Sequence, residues 1–393
     1  MTRTSTKSLI AVLTAAVLLA TGASLSFAER IETYDLKPGK KIVVELEDGG
    51  SIQVVGWNKS EAEITFSDQW RDLDDYETDI EETKYGLKIS AELVAGENSN
   101  TSLLVSLKVP RQVDIEFSTM GGCIQLEDIE GTFTGKTMGG NISIEDLKGD
   151  IEIKTMGGEI KVLDSELDGK IHTMGGPVLV KDVVGDIRAS SNGGNVRYIN
   201  VRRKSGRVSG PRRIDREDAD VTGKTVQISS MGGSIDVDEA PDGAVVFTAG
   251  GEIDIKDADK FVEAQTGGGD ISIEFGSGRV EASTGAGDID VDIKSDTKED
   301  GDVTLVTGTG DVTLTVPPGF SMELDIDLGY TRNSDRDYRI ISDFEFDEER
   351  TQEWDREYGS PQKHIYGTGI IAGGRHLIRI RTVNGDVRIK KGK

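Results

Sequence analysis

From Thr119 onward, isoleucine or valine returns at a fixed place in the chain. Units can be counted from the Thr or Ser that opens a short glycine-bearing phrase, "TMGG" at 119–122. They start at Thr119, Thr137, Thr155, Thr173, Ser191, Ser209, Ser230, Thr248, Thr266, Thr284, Thr307 and Thr382. Up to Thr307 most successive starts lie 18 residues apart, with 209 to 230 and 284 to 307 longer; the last unit, at Thr382, stands apart. Five places after each start the residue is Ile or Val, from Ile124 and Ile142 through Val312 and Val387. Seven places on it is apolar in every unit but one, where Arg216 stands. Alternation of this kind is strand periodicity, one side chain in and the next out, and the β-branched preference agrees. A fixed period marks a repeat architecture. The pattern predicts an all-β protein, a β-solenoid with about 18 residues per coil and coils stacked about 4.8 Å apart. Eleven such coils make a rod on the order of 50 Å long.

The spacing of the inward positions also bears on handedness. A left-handed hexapeptide helix uses coils of the same length but wants an aliphatic residue every six. Here the inward candidates fall at offsets 0, 5 and 7, and often at 10 and 14, which favours a right-handed coil. Propeller blades need roughly 40 residues and fit less well.

The rest of the chain divides around this rod. Residues 1–28 carry Arg3 and Lys7, an apolar run from Leu9 to Ala20 and the small-residue ending Ser26-Phe27-Ala28, the form of a secretory signal peptide. The run is too short to span a bilayer comfortably. Residues 29–118 read as irregular coils and a cap, since an open solenoid end is an exposed sheet edge. They include the acidic stretch "DQWRDLDDYETDIEETKYG". The regular rod covers 119–316. Pro317-Pro318-Gly319 marks a break, and residues 317–393 hold further strands, an acidic insertion expected as a loop or short helix, and a last coil from Thr382.

Charge changes the picture of partners. The chain of 393 residues has a net charge of −25, and loss of Arg3 and Lys7 with the leader makes it −27. Such a surface repels nucleic acid and anionic membranes, so no nucleic-acid partner is expected. A single cysteine, Cys123, rules out an internal disulfide, and stability must come from burial and hydrogen bonds.

The phrases "GGSIQVVGW" (49–57), "VSLKVPRQVDIEFSTMGG" (105–122), the serial "GGxIxI" units and "YGTGIIAGGRHLIRIRTVNGDVRIKKG" (366–392) resemble the bacterial "putative-adhesin" family of β-strand-repeat domains, a domain of unknown function. The resemblance covers about residues 40–392. It implies an exported β-helix-like domain with an adhesive or surface role, and it supplies no catalytic or binding residues. The basic insertion near 200–216 and the acidic one near 331–362 depart from its pattern.

Candidate chemistry is sparse. The three histidines, His172, His364 and His376, lie in no recognisable nucleophile arrangement, and no HExxH or paired CxxC occurs. No enzyme is predicted and no cofactor is required. Met120, Met138, Met156, Met174 and Met231 share one offset, out of phase with the inward Thr; the first four should form a corner ladder, either structural (packed under the terminal segment or left as a modest stripe) or an exposed adhesive strip. Arg197, Arg202, Arg203, Lys204, Arg207, Arg212 and Arg213 crowd two coils of an acidic chain. They either neutralise neighbouring acidic coils or bind an anionic partner such as an acidic glycan. In the late coils Glu252, Asp254, Asp270, Asp288, Asp290 and Asp311 form acidic ladders that Ca²⁺ could bridge. The glycine-x-aspartate offset of the nonapeptide calcium repeat is absent. These features predict an exported, non-enzymatic adhesin-like or scaffold solenoid of the cell envelope, periplasmic or at the cell surface, with a glycan or protein partner and no transmembrane span. A carbohydrate-active β-helix enzyme (polysaccharide lyase or hydrolase) and a self-assembling filament are the alternatives.

Overall fold

The computed structural model describes residues 28–94, 102–202, 226–295, 301–334, 336–355 and 360–392. Among them the regular structure is strand, apart from one 3-10 turn at Leu73–Asp75. The strands form two long stacks of parallel strands wrapped around a common apolar core, the solenoid that the periodicity predicts.

Each unit contributes one strand to each stack. The upstream strand ends on the unit's Thr or Ser, as in Lys148–Thr155, and the downstream strand follows the glycine corner, as in Ile160–Leu163. Register is kept from rung to rung: Thr119, Thr137, Thr155 and Thr173 pair in line, and so do Ile124, Ile142, Ile160 and Val178. The described residues of the offset-five column, from Ile124 to Val387, are buried, as are the inward Ile129, Phe133, Leu147 and Ile151 at offsets 10 and 14. A one-residue slip would turn this column to solvent, so the core itself fixes the register.

One predicted unit, that of Ser209, lies outside the described residues. Ile187–Ser191 pairs directly with Val226–Ser230, and Val196 of the next strand pairs with Ile235. No coil headed by Ser209 stands between them.

The order of rungs along the rod also departs from chain order at both ends. Strands Lys40–Leu46 and Ser51–Trp57 lie between Gly86–Leu93 and Leu104–Pro110 on one side and Val113–Thr119 and Ile124–Glu127 on the other. At the far end His376–Val383 and Val387–Lys391, last in the chain, lie between the Val303–Val316 rung and strands Met322–Thr331 and Ile340–Ser342. Both inversions let antiparallel strands close the upstream stack, Tyr76–Thr83 at one end and Gln362–Ile371 with Asp347–Arg350 at the other. The two acidic stretches are therefore edge strands. Glu77, Asp79, Glu81 and Glu82 sit on one, and Asp347, Glu348 and Glu349 on the other. Charged edges of this kind discourage further strand pairing.

The two glycines of each corner do different work. A Cβ at Gly158 would lie 2.0 Å from the carbonyl oxygen of Gly140 one rung below, whereas at Gly157 the nearest atom is 3.9 Å away. Of these two glycines, only the second touches the rung below backbone to backbone. Along the chain the first position becomes Ala286, Thr309 and Asn384, while the second stays Gly287, Gly310 and Gly385. Gly158→Ala is expected to lower stability by about 1–3 kcal/mol, the range for overpacking, and Gly157→Ala to be close to neutral. Urea unfolding of the two variants side by side checks this.

Candidate binding surface

At the glycine corners the Thr or Ser hydroxyl is buried, and at most of the described middle rungs it makes two bonds. Thr155 Oγ1 donates to the Gly140 carbonyl of the preceding rung (3.1 Å) and accepts from the Gly158 N–H of its own corner (3.2 Å). The same pair recurs at Thr173, Ser191 and Thr248. With the Thr held inward, the next side chain must point out. Met120, Met138, Met156, Met174 and Met231 are accordingly exposed, by 56, 46, 47, 46 and 62%. Met138, Met156 and Met174 each donate their N–H to the Thr carbonyl one rung below, which places them in line along the rod. The ladder is therefore an exposed stripe and is not packed under another segment.

Beside the strip lies the outer face of the upstream stack. Lys136, Lys154, His172 and Ser190 stand next to one another on consecutive rungs, and Thr134, Glu152, Lys170 and Arg188 form the neighbouring row. Lys154 pairs with Glu152 at 3.0 Å, and His172 Nδ1 lies 2.8 Å from Ser190 Oγ. On a strongly acidic molecule this patch is locally positive. A third row on the same face, Thr132, Asp150, Asp168 and Asp186, is acidic.

The acidic residues of the late coils have a structural task. Asp270 Oδ1 accepts the backbone N–H of Asp288 (2.8 Å), Asp288 that of Asp311 (2.7 Å), and Asp311 that of Asp386 (2.8 Å). Each carboxylate therefore caps the next rung. Asp311 also meets Arg388 at 2.8 Å and Arg336 at 3.6 Å. Burial works against its charge, but the Arg388 guanidinium and the Asp386 N–H outweigh it and hold its carboxyl below the ordinary 3.8. Asp254 pairs with Lys256 (3.2 Å), and Ser272 separates it from Asp290 on the same face. Burial raises Asp290, with Lys390 opposing. Glu252 stands in the same column, its own N–H bound by Ser234 Oγ. Among the described residues no three or more His, Cys, Asp or Glu side chains are grouped to hold a metal ion.

Of the basic cluster, Arg197 and Arg202 are described. Arg197 pairs with Asp238 at 3.3 Å and Arg202 approaches Glu239 at 3.8 Å. Arg203, Lys204, Arg207, Arg212 and Arg213 lie outside the described residues.

Three features went unread in the sequence. At a second corner, nine places after the start, Asp128, Asp146, Asp164, Asp182, Asn200 and Asp257 adopt φ of 46–60°, a conformation that Asp and Asn tolerate best after Gly. Their recurrence at one offset was the available signal. Asp68 is buried and accepts from the N–H groups of Trp70 and Arg71 and from the hydroxyls of Tyr76 and Ser102. Burial opposes its charge, yet these donors keep its carboxyl below the usual range. The loop so tied displays Trp70, 79% exposed. At the far end His364 Nδ1 lies 2.6 Å from Asp327, beside Arg381, at a cavity of about 190 Å³ also lined by Thr307 and Thr382.

A family model, Toastrack DUF4097, matches residues 179–390, more than half of the chain. The chain belongs to this family. The resemblance to a β-strand-repeat family of unknown function therefore holds. No curated protein matches the Toastrack chain significantly. Among solved structures it is similar to a "putative cell adhesion protein" of Clostridium sporogenes ATCC 15579, with 11% identity over 93% of this chain and 100% of that one and a TM-score of 0.20. A "putative lipid binding protein" of Parabacteroides distasonis ATCC 8503 has 13% identity over 73% and 96%, with a TM-score of 0.30. A "putative adhesin" of Bacteroides fragilis NCTC 9343 has 9% identity over 94% and 100%, with a TM-score of 0.23. No helix among the described residues is long and apolar enough to cross a membrane.

Two measurements probe the acidic column. Asp311→Asn removes a charge-assisted cap and is expected to cost about 1–3 kcal/mol at pH 7. Because the folded carboxyl ionises below its ordinary 3.8, its stabilisation is complete above that value and lost as pH falls through the lower folded one. The gap between wild type and variant should therefore narrow below pH 3.8 in acid-unfolding curves. Because Asp270, Asp288 and Asp311 are engaged by the next rung's N–H, thermal midpoints in excess chelator and in millimolar Ca²⁺, at matched ionic strength, are expected to coincide.

Proposed function

We propose that this Toastrack protein is an exported, non-enzymatic scaffold that binds an envelope or extracellular partner along its flank. The observation that carries this reading is the Met strip: thioethers exposed at regular rung spacing beside a basic face, with the backbone beneath held by the Thr–Gly corners. Met side chains adapt to varied apolar surfaces, and a contiguous apolar strip is a mark of an interaction site. The leader-like first 28 residues support export. The basic cluster from Arg197 to Arg213 is a second place for an anionic partner, with Arg202 exposed at the rim of the rod.

The enzyme reading draws less support. The cavity at His364 holds about 190 Å³, below the roughly 300–1,000 Å³ of ligand pockets. The hydroxyls of Thr307 and Thr382 beside it donate to the Gly287 and Gly310 carbonyls and belong to the rung corners. The filament reading is weakened by the acidic strands Tyr76–Thr83 and Asp347–Arg350, which would meet like charge against like in head-to-tail stacking.

The test is direct. Chain expressed with its own leader in the source cells should be recovered outside the cytoplasm with a new N-terminus at Glu29. The labelled mature chain should bind those cells saturably and be competed by excess unlabelled chain. Recovery in the cytoplasm at full length would overturn export, and non-saturable binding would overturn the scaffold reading.

A further inference from the structure

The chemistry of the flank narrows the partner, given that the scaffold reading holds. We propose that the strip of Met138, Met156 and Met174, with the bordering Lys136, Lys154 and Lys170, is the docking site for an acidic amphipathic helix of a partner protein. Arg188 extends the basic border by one rung.

Three observations select this occupant. The first is charge. On a chain of net charge −25, the two rows nearest the Met strip hold Lys136, Lys154, Lys170 and Arg188 against one acid, Glu152. Lys136, Lys170 and Arg188 make no ion pair with a described residue, so their charge is available to a partner. The second is the apolar row. A hydrophilic polyanion would satisfy the lysines and gain nothing from three exposed thioethers; an occupant with an apolar stripe edged by carboxylates uses both. The third is spacing. Rungs repeat at about 4.8 Å along the rod, and a helix laid along that axis repeats every 5.4 Å. Over three or four rungs the two stay in step within a side chain's reach. An extended peptide brings same-side residues round only every ~6.7 Å and loses step sooner.

The acidic third row, Asp150, Asp168 and Asp186, sets the limit of the site. It lies four residues along the strand from the row of Lys154, about 13 Å away, roughly one helix diameter. An acidic helix is repelled from that row and confined over the Met and lysine rows. The same row would be pressed against the headgroups if the whole face lay on an anionic bilayer, which disfavours a membrane as the occupant.

The test uses the full mature chain and synthetic probes. One peptide of about 18 residues carries Leu at i, i+3, i+4 and i+7 with Glu along one border; its controls are a scrambled sequence and a version with Lys in place of Glu. Fluorescence anisotropy should show saturable binding of the acidic peptide, weakening as salt rises, with a gain of helical circular dichroism. Lys136→Glu with Lys154→Glu, and separately Met138→Ser with Met156→Ser, should each weaken binding at least tenfold. All four side chains are exposed, so the unfolding midpoint should hold and report that the rod is intact. Equal binding of the scrambled peptide, indifference to either pair of substitutions, absence of acidic-peptide binding, or binding of anionic phospholipid vesicles in its place would each overturn the proposal. Saturable cell binding that survives both variant pairs would overturn this site while leaving the scaffold reading standing.

Discussion

The rod depends on how closely two backbones approach at the glycine corner. The second glycine of each phrase sits against the carbonyl of its counterpart one rung below, with no room for a Cβ, as at Gly158 over Gly140. The Thr hydroxyl closes that contact by donating to the lower glycine carbonyl and accepting the upper glycine N–H. A buried corner would otherwise leave backbone groups unpaired, each at a cost of about 1–3 kcal/mol. In rungs such as those of Thr155, Thr173 and Thr248 one buried hydroxyl satisfies two of them and ties one coil to the next.

The surface follows from that corner. With Thr turned inward, the next residue is forced outward, and in the early rungs that residue is methionine. One place beyond the second glycine, a side-chain oxygen caps the next rung's N–H: Asn141 for Glu159, Asn195 for Ser234, Asp270 for Asp288. The late rungs use Asp in that column, so much of the acidity that suggests a cation site is explained by backbone capping. The early rungs hold Asn141, Glu159, Pro177 and Asn195 there, with Glu159 paired to Lys161, and carry lysines on the adjoining strand, which leaves a locally positive flank. The rod is thus built from one corner chemistry, but its two halves present different faces.

Both ends stop the repeat in the same way. A coil from elsewhere in the chain is slotted in next to the last rung, and an antiparallel strand then covers the upstream stack. Parallel coils propagate indefinitely unless something of opposite direction occupies the edge. The acidic strands at the two ends occupy it and repel further pairing.

Much of this was legible in the sequence because a period of 18 with Ile or Val at one offset leaves few folds to choose from. Which side chains point inward, which glycine phrase makes the corner and that Met faces away from Thr all follow from alternation along a strand, a local property. The order of the rungs does not. That Ser191 stacks on Ser230 with no rung from Ser209 between them, and that the final unit lies inside the rod rather than at its tip, depend on which strands meet across long stretches of chain. Nor could the sequence separate a carboxylate that caps a neighbour's N–H from one awaiting an ion, since Asp270, Asp288 and Asp311 differ from other aspartates only by what stands on the next rung. The sequence by itself determined the coil; contacts between residues far apart in the chain, which local periodicity does not encode, decided how the coils are ordered, capped and charged.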